Sequence, residues 1–118
     1  MDTYERINHV LSNACGAKRE KIINRAYSVN GFSLIRLRDA LMKMGRIHSE
    51  DLENHTYVAV LPGGIRKRNR AVVAFELSEK KLLIAAYAEE GLIKQHTVEG
   101  VINEFEDSIK RFIVSDNN

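Results

Sequence analysis

Three runs of apolar, β-prone side chains in the middle of the chain constrain its fold more than any other feature. The first run, 57–61, is followed by Pro62 and two glycines, which favour a turn because proline lacks an amide donor and glycine accepts left-handed conformations. The other two runs, 71–77 and 82–88, are joined by the polar residues 78–81, a loop length common in hairpins. The pattern predicts an antiparallel sheet.

The hairpin formed by the second and third runs is apolar on both faces. A symmetric loop would pair Phe75 with Ile84 and Val73 with Ala86 on one face. The other face is also mainly apolar and carries Val72, Ala74, Leu83, Ala85 and Tyr87. A sheet with one face in water would alternate apolar and polar residues, so we expect this sheet to be covered on both sides.

Apolar residues at helical spacing predict three helices before the sheet. The first ends at Gly16, the second covers 17–29, and the third covers 34–44 behind Ser33, which is a good N-cap. Residues 49–53 are expected to form one further helical turn. These elements, or a second copy of the protein in a homodimer, would cover one face of the sheet.

A long apolar stripe over 98–113 predicts a C-terminal helix that covers the other face, with Thr97 as its cap. Leu92 and Ile93 would add a short fourth strand. The sequence therefore predicts an α+β fold in one domain, 1–118. Its parts are N-terminal helices over about 2–53, a three- or four-stranded antiparallel sheet over about 56–96 and a C-terminal helix packed on the sheet over about 98–113.

Size and composition are those of a soluble domain. A chain of 118 residues buries roughly two thirds of the surface that it exposes when unfolded. Cys15 is the only cysteine, so no intramolecular disulfide forms and we expect a reducing, cytoplasmic location with Cys15 as a small apolar residue. Neither a signal peptide nor a membrane-spanning apolar run is expected, and no cofactor is predicted.

The residues capable of catalysis or metal binding form no recognised motif. His48 and His55 flank three acids in 50–53, and a helical turn there would bring imidazole and carboxylate together. A solvated connection explains the same pattern, so we predict no metal ion. The turn at 62–64 lacks the lysine and serine of a phosphate loop. We therefore predict no catalytic residue and expect that the protein is not an enzyme.

A basic cluster precedes the second run. It comprises Arg66, Lys67, Arg68 and Arg70. In a loop all four could contact one polyanion or an acidic partner, although a solvated loop is the simpler interpretation. A winged-helix alternative makes 34–44 a recognition helix, with Arg36, Arg38 and Lys43 facing nucleic acid. The net charge of only +2 argues against a dedicated nucleic-acid-binding protein.

Acidic residues lie in the last third of the chain, and five of them are candidates for partner binding. They are Glu89, Glu90, Glu104, Glu106 and Asp107. Such residues usually form a solvated helix face, but they would also suit a docking surface for a basic protein, because complementary charge speeds association and selects the partner.

The runs 71–77 and 83–93 and the helix 98–112 resemble the small immunity proteins of bacterial toxin–immunity systems, including those of contact-dependent growth inhibition. The resemblance covers the C-terminal half. It implies a cytoplasmic, non-enzymatic protein that binds a cognate toxin, such as a basic nuclease, and blocks its active site. Nucleic-acid binding through the basic cluster is the alternative function.

Overall fold

The computed structural model describes residues 3–64, 67–89 and 96–114. Within these ranges the chain forms three α-helices and five β-strands. In chain order they are α1 (Glu5–Cys15), β1 (Ile23–Ser28), α2 (Leu34–Met44), β2 (Arg46–Asp51), β3 (Thr56–Gly63), β4 (Asn69–Leu77), β5 (Lys81–Tyr87) and α3 (Thr97–Ile109). None of the helices in the described part of the chain has the length and apolar character needed to cross a membrane.

The five strands form one antiparallel sheet in the order β1-β5-β4-β3-β2. Strands β2 to β5 are neighbours in sequence, whereas β1 joins the far side of β5. Helix α2 therefore connects the two edge strands. The α+β class and the packing of the C-terminal helix on the sheet are confirmed, and the sheet has five strands rather than three or four.

The predicted hairpin is confirmed in detail. Strands β4 and β5 pair with Phe75 opposite Ile84 and Val73 opposite Ala86. Helices pack on both faces, as expected, but they are distributed differently and one face is only partly covered. Helices α2 and α3 pack on one face, where the Phe75 and Phe105 rings lie 4.9 Å apart. Helix α1 covers part of the other face through the fully buried Ile7. The homodimer stays a prediction.

The prediction of a helix over 17–29 is wrong, because residues 23–28 form strand β1. Ile23 and Tyr27 pack against the main core. They are four residues apart, and this spacing suits one face of a helix and one face of a strand equally well. The strand is fixed by contacts distant in sequence. Asn24 donates a hydrogen bond to the Ile84 carbonyl at 3.1 Å and exchanges amide hydrogen bonds with Asn8 of α1.

The helical turn predicted at 49–53 is also wrong, since residues 46–51 form edge strand β2. Five of its six residues are exposed, and the strand has no apolar alternation because one edge and one face meet water. Strand β3 continues through Pro62 to Gly63, whereas the sequence predicted a turn beginning at Pro62. Strand β2 begins opposite Val60, so it does not extend alongside Pro62, whose only strand neighbour is β4. The missing amide of Pro62 therefore removes no hydrogen bond between β3 and β2.

The C-terminal helix begins and ends slightly differently from its prediction. Residue His96 precedes it in a left-handed conformation and Thr97 is its first residue, without the predicted capping role. Helix α3 ends at Ile109, and a 3-10 turn follows over Lys110–Phe112. The Val114 amide then donates to the Ser28 carbonyl at 2.8 Å, which covers one end of the β1 edge. The strand predicted at Leu92 and Ile93 lies outside the described residues.

Candidate binding grooves

The basic cluster contacts one of the acidic candidates. Lys67 forms an ion pair with Glu104 of α3, which attaches the loop before β4 to this helix. Arg68 is exposed and Arg70 lies in β4 opposite Pro62. Arg66 lies outside the described residues. The cluster is therefore partly neutralised.

The five acidic candidates do not form one surface in the described part of the chain. Glu104 pairs with Lys67, while Glu106 is half-buried and lies near Tyr27 of β1. Two residues apart on a helix, these side chains point in different directions. Glu89 and Asp107 are exposed, and Glu90 lies outside the described residues. Their contribution to partner binding stays a prediction.

Tyr27 of β1 lies near Glu106 of α3. Its surroundings make the free energy of unfolding depend on pH in the alkaline range. Burial raises the pKa of Tyr27 to about 12, and the adjacent Glu106 carboxylate adds to the shift while Arg25 opposes it. Between pH 10, where an unfolded tyrosine ionises, and about pH 12, the unfolded chain binds fewer protons than the folded one. The free energy of unfolding should therefore fall as pH rises through this window.

Tyr27→Phe tests this contact. At neutral pH we expect the variant to differ from the wild type by less than about 0.5 kcal/mol in unfolding free energy, because the substitution removes only a hydroxyl from a half-buried side chain. As pH rises above about 10, the wild type should lose unfolding free energy that the variant keeps, which urea denaturation at several pH values would measure. Burial also raises the pKa of Tyr57, so only the difference between the two proteins reports on Tyr27. Parallel pH profiles would contradict the assignment.

The histidines near β2 form no metal site with the acids around them. Asp51 accepts hydrogen bonds from the Asn54 amide and side chain at 3.2 and 2.8 Å, and these bonds lower the pKa of Asp51. That carboxylate therefore stabilises the turn between β2 and β3. Within residues 3–64, 67–89 and 96–114, no group of three His, Cys, Asp or Glu side chains is placed to hold a metal ion.

An open groove of about 640 Å³ lies between α2 and the edge strand β2. It is lined by Arg38 and Met42 of α2, Gly45 and residues 46–50 of β2. Gly45 permits this arrangement, since an added Cβ would lie 2.3 Å from the Val60 carbonyl oxygen. Helix α2 can therefore turn directly into β2 with its end pressed against β3. We call this the α2–β2 groove.

Charge and shape in the α2–β2 groove are set by a few side chains. Arg38 and Glu50 form an ion pair across it, with 3.3 Å between Nε and Oε1. A β-bulge between Ile47 and Ser49 re-aims His48. Among the described residues, the side chains of Arg46 and His48 have no hydrogen-bond or ion-pair partner. The groove thus offers unpaired basic groups to a ligand.

Two large apolar side chains are exposed beside this groove. Ile35 is 72 % exposed and Met42 is 54 % exposed. Seven residues apart, they lie on one side of α2 with Arg38 between them. Sequence reasoning identified the buried ridge of this helix but passed over this pair. The sequence did carry a signal for this pair, because Ile35 and Met42 are apolar residues on the polar side of α2.

A second groove of about 350 Å³ meets the first at Gly45 and Arg46. Its other lining residues are Val60, Pro62, Lys67 and Arg70. We call it the cationic groove, because three of its six lining residues are basic. Only Lys67 and Arg70 belong to the predicted basic cluster. Arg46 is added by the fold.

The winged-helix interpretation lacks its three-helix unit, because residues 23–28 are a strand. Helix α2 is confirmed and capped by Ser33, whose side chain accepts a hydrogen bond from the Arg36 amide. The Arg36 guanidinium lies 5.1 Å from the centre of the Phe112 ring, Arg38 pairs with Glu50, and Lys43 lines a groove between α2 and α3. The three predicted contacts thus face different surroundings.

Comparisons of the chain with models of protein families, with curated proteins and with solved structures find no match.

Proposed function

We propose that the protein is a non-enzymatic immunity protein that binds and neutralises a bacterial toxin in the cytoplasm. The observation that carries the proposal is the exposed pair Ile35 and Met42 beside the α2–β2 groove. Methionine and arginine are enriched at the centres of protein interfaces, and apolar anchors next to a pocket contribute much of the binding energy. A folded partner would bury these two side chains.

The charges around the grooves favour a protein partner over nucleic acid. Acidic side chains interrupt the basic ones, since Glu50 pairs with Arg38 and Glu104 pairs with Lys67. A nucleic-acid backbone would meet these carboxylates at close range, whereas nucleic-acid-binding surfaces present continuous positive charge. The net charge of +2 supports the same conclusion.

Neutralisation, rather than another consequence of binding, is proposed from the resemblance to immunity proteins over the C-terminal half. A toxin such as a nuclease would be blocked when the protein covers or distorts its active site. The single unpaired cysteine supports action in a reducing compartment, where the toxin would reach its target.

The first experiment identifies the partner and its toxicity. The tagged protein would be recovered from its native cells at low salt with nuclease present, and a stoichiometric partner identified by mass spectrometry. Expression of that partner alone should arrest growth, and co-expression with this protein should restore it. A partner that does not arrest growth, or an association that is lost on nuclease treatment, would contradict the proposal.

The interface is tested by placing a charge at each apolar anchor. Ile35→Asp and Met42→Asp should each weaken toxin binding about tenfold or more, because a desolvated carboxylate would replace an apolar contact. Isothermal titration calorimetry would measure the change. Leu52→Asp is the matched control, since Leu52 is 60 % exposed but lies in the turn after β2 rather than on α2. Equal losses in all three variants would remove the α2–β2 groove from the interface.

A further inference from the structure

Three basic side chains from two parts of the chain converge on the cationic groove. Arg46 begins β2, Lys67 lies in the loop before β4, and Arg70 lies within β4. Strand β3 runs between β2 and β4 and supplies the remaining wall through Val60 and Pro62. The sheet order therefore creates this concentration of positive charge.

The groove remains open because helix α1 does not reach it. The apolar cluster under α1 includes Val58 and Ala74, but the half-buried Val60 belongs to neither core cluster. Val60 lies on the same face of β3 as Val58, two residues further along the strand. This corner of the sheet thus combines an apolar floor with a basic rim.

Two of the three cations are available to a ligand. Within the described residues the side chains of Arg46 and Arg70 have no hydrogen-bond or ion-pair partner, whereas Lys67 pairs with Glu104. A guanidinium group binds a carboxylate through two parallel hydrogen bonds, which gives both affinity and orientation. A volume of about 350 Å³ admits one or two side chains.

We infer that the cationic groove binds a glutamate- or aspartate-containing segment of the protein partner. This inference rests on the proposed function, because it takes the partner to be a protein. The carboxylate binds Arg46 and Arg70, and its aliphatic stem covers Val60 and Pro62. Continuity with the α2–β2 groove at Arg46 lets one partner fill both grooves, with apolar contacts at Met42 and acidic contacts here.

A labelled peptide tests the inference without the natural partner. Fluorescence anisotropy would measure binding of a fluorescein-labelled peptide of alternating glutamate and leucine to the full-length protein at low salt. Replacing Arg46 and Arg70 together by alanine should weaken binding about tenfold, as expected for two exposed charge pairs. The matched control replaces Lys80 and Lys81, which have the same total charge but lie at the other end of β4, Lys80 in the turn that follows it and Lys81 at the start of β5.

A charge exchange provides an independent readout. Arg46→Glu combined with Arg70→Glu should abolish binding of the glutamate peptide and create binding of the corresponding lysine peptide, with thermal melting confirming that the variant folds. The inference is overturned if the wild type does not bind the peptide, if the Lys80 and Lys81 control weakens binding equally, or if a short thymidine oligonucleotide binds more tightly through the same arginines. Failure here combined with loss of toxin binding in Met42→Asp would leave the proposed function intact.

Discussion

Replacing Phe105 by alanine is expected to lower the free energy of unfolding by about 3–5 kcal/mol, because it removes a large ring from a closed core and leaves a cavity. Phe105 is 1 % exposed, and its ring centre lies 4.9 Å from that of Phe75, with 46° between the ring planes. This pair joins α3 to the central strand β4. A domain of this size has about 5–15 kcal/mol of total stability, so the loss would be a large fraction of it.

Urea denaturation followed by circular dichroism would measure this change. Phe105→Leu keeps most of the volume and should cost about 1–1.5 kcal/mol. Asn103→Ala lies on the same helix but is exposed, and should change stability by less than about 0.5 kcal/mol. A loss below about 1 kcal/mol in Phe105→Ala would mean that α3 does not pack on the sheet through this ring.

The β4–β5 hairpin could be predicted from sequence because the information that fixes it is local. The loop 78–81 sets the register, and period-two apolar residues on both strands agree with it. The observed pairing of Phe75 with Ile84 follows directly. Helix α2 was equally accessible, since Ser33 caps it and Leu37 and Leu41 form its buried ridge.

Strands β1 and β2 could not be predicted in this way, because their partners and their edge positions are set by the whole fold. Strand β1 pairs with β5, about sixty residues away in the chain, and its apolar residues fit a helix stripe as well as a strand face. Strand β2 is polar because it lies at an edge. In both cases tertiary context overrides local preference.

The candidate site was only partly accessible for the same reason. The basic cluster in 66–70 is visible in the sequence, but Arg46 lies about twenty residues before it and joins Lys67 and Arg70 only through the order of β2, β3 and β4. The α2–β2 groove depends on an edge strand whose second half, 49–51, lies within the predicted helical turn 49–53. The sequence therefore gives the number of basic residues, but it does not show which of them lie together in the fold.

Gly45→Ala is expected to lower the free energy of unfolding by about 1–3 kcal/mol, the usual cost of overpacking a site that cannot relax freely. The added Cβ would lie 2.3 Å from the Val60 carbonyl oxygen and 3.0 Å from the Leu61 side chain. The Val60 carbonyl belongs to the backbone of β3, an interior strand of the sheet. The end of α2 and the start of β2 must therefore move away from β3.

Gly100→Ala is the matched control for this substitution. Gly100 lies within α3, and an added Cβ there would have no atom within 4 Å. Alanine is the better helix former, so this variant should gain about 0.5–1 kcal/mol. The same chemical change thus has opposite signs at the two positions. A stable Gly45→Ala protein would contradict the close approach of α2 to β3.

Gly45→Ala should also reduce partner binding beyond its effect on stability, because Gly45 and Arg46 line both grooves. Movement of β2 relative to β3 would separate Arg46 from Arg70 and shift Met42 against Ile47, although none of these four side chains has been replaced. Phe105→Ala alters α3, outside both grooves, and should leave toxin affinity nearly unchanged under conditions where the protein remains folded. Calorimetric titration of both variants below their melting temperatures would measure the difference. Equal affinities would show that the partner does not depend on the junction of α2 and β2, and would place the interface elsewhere on the protein.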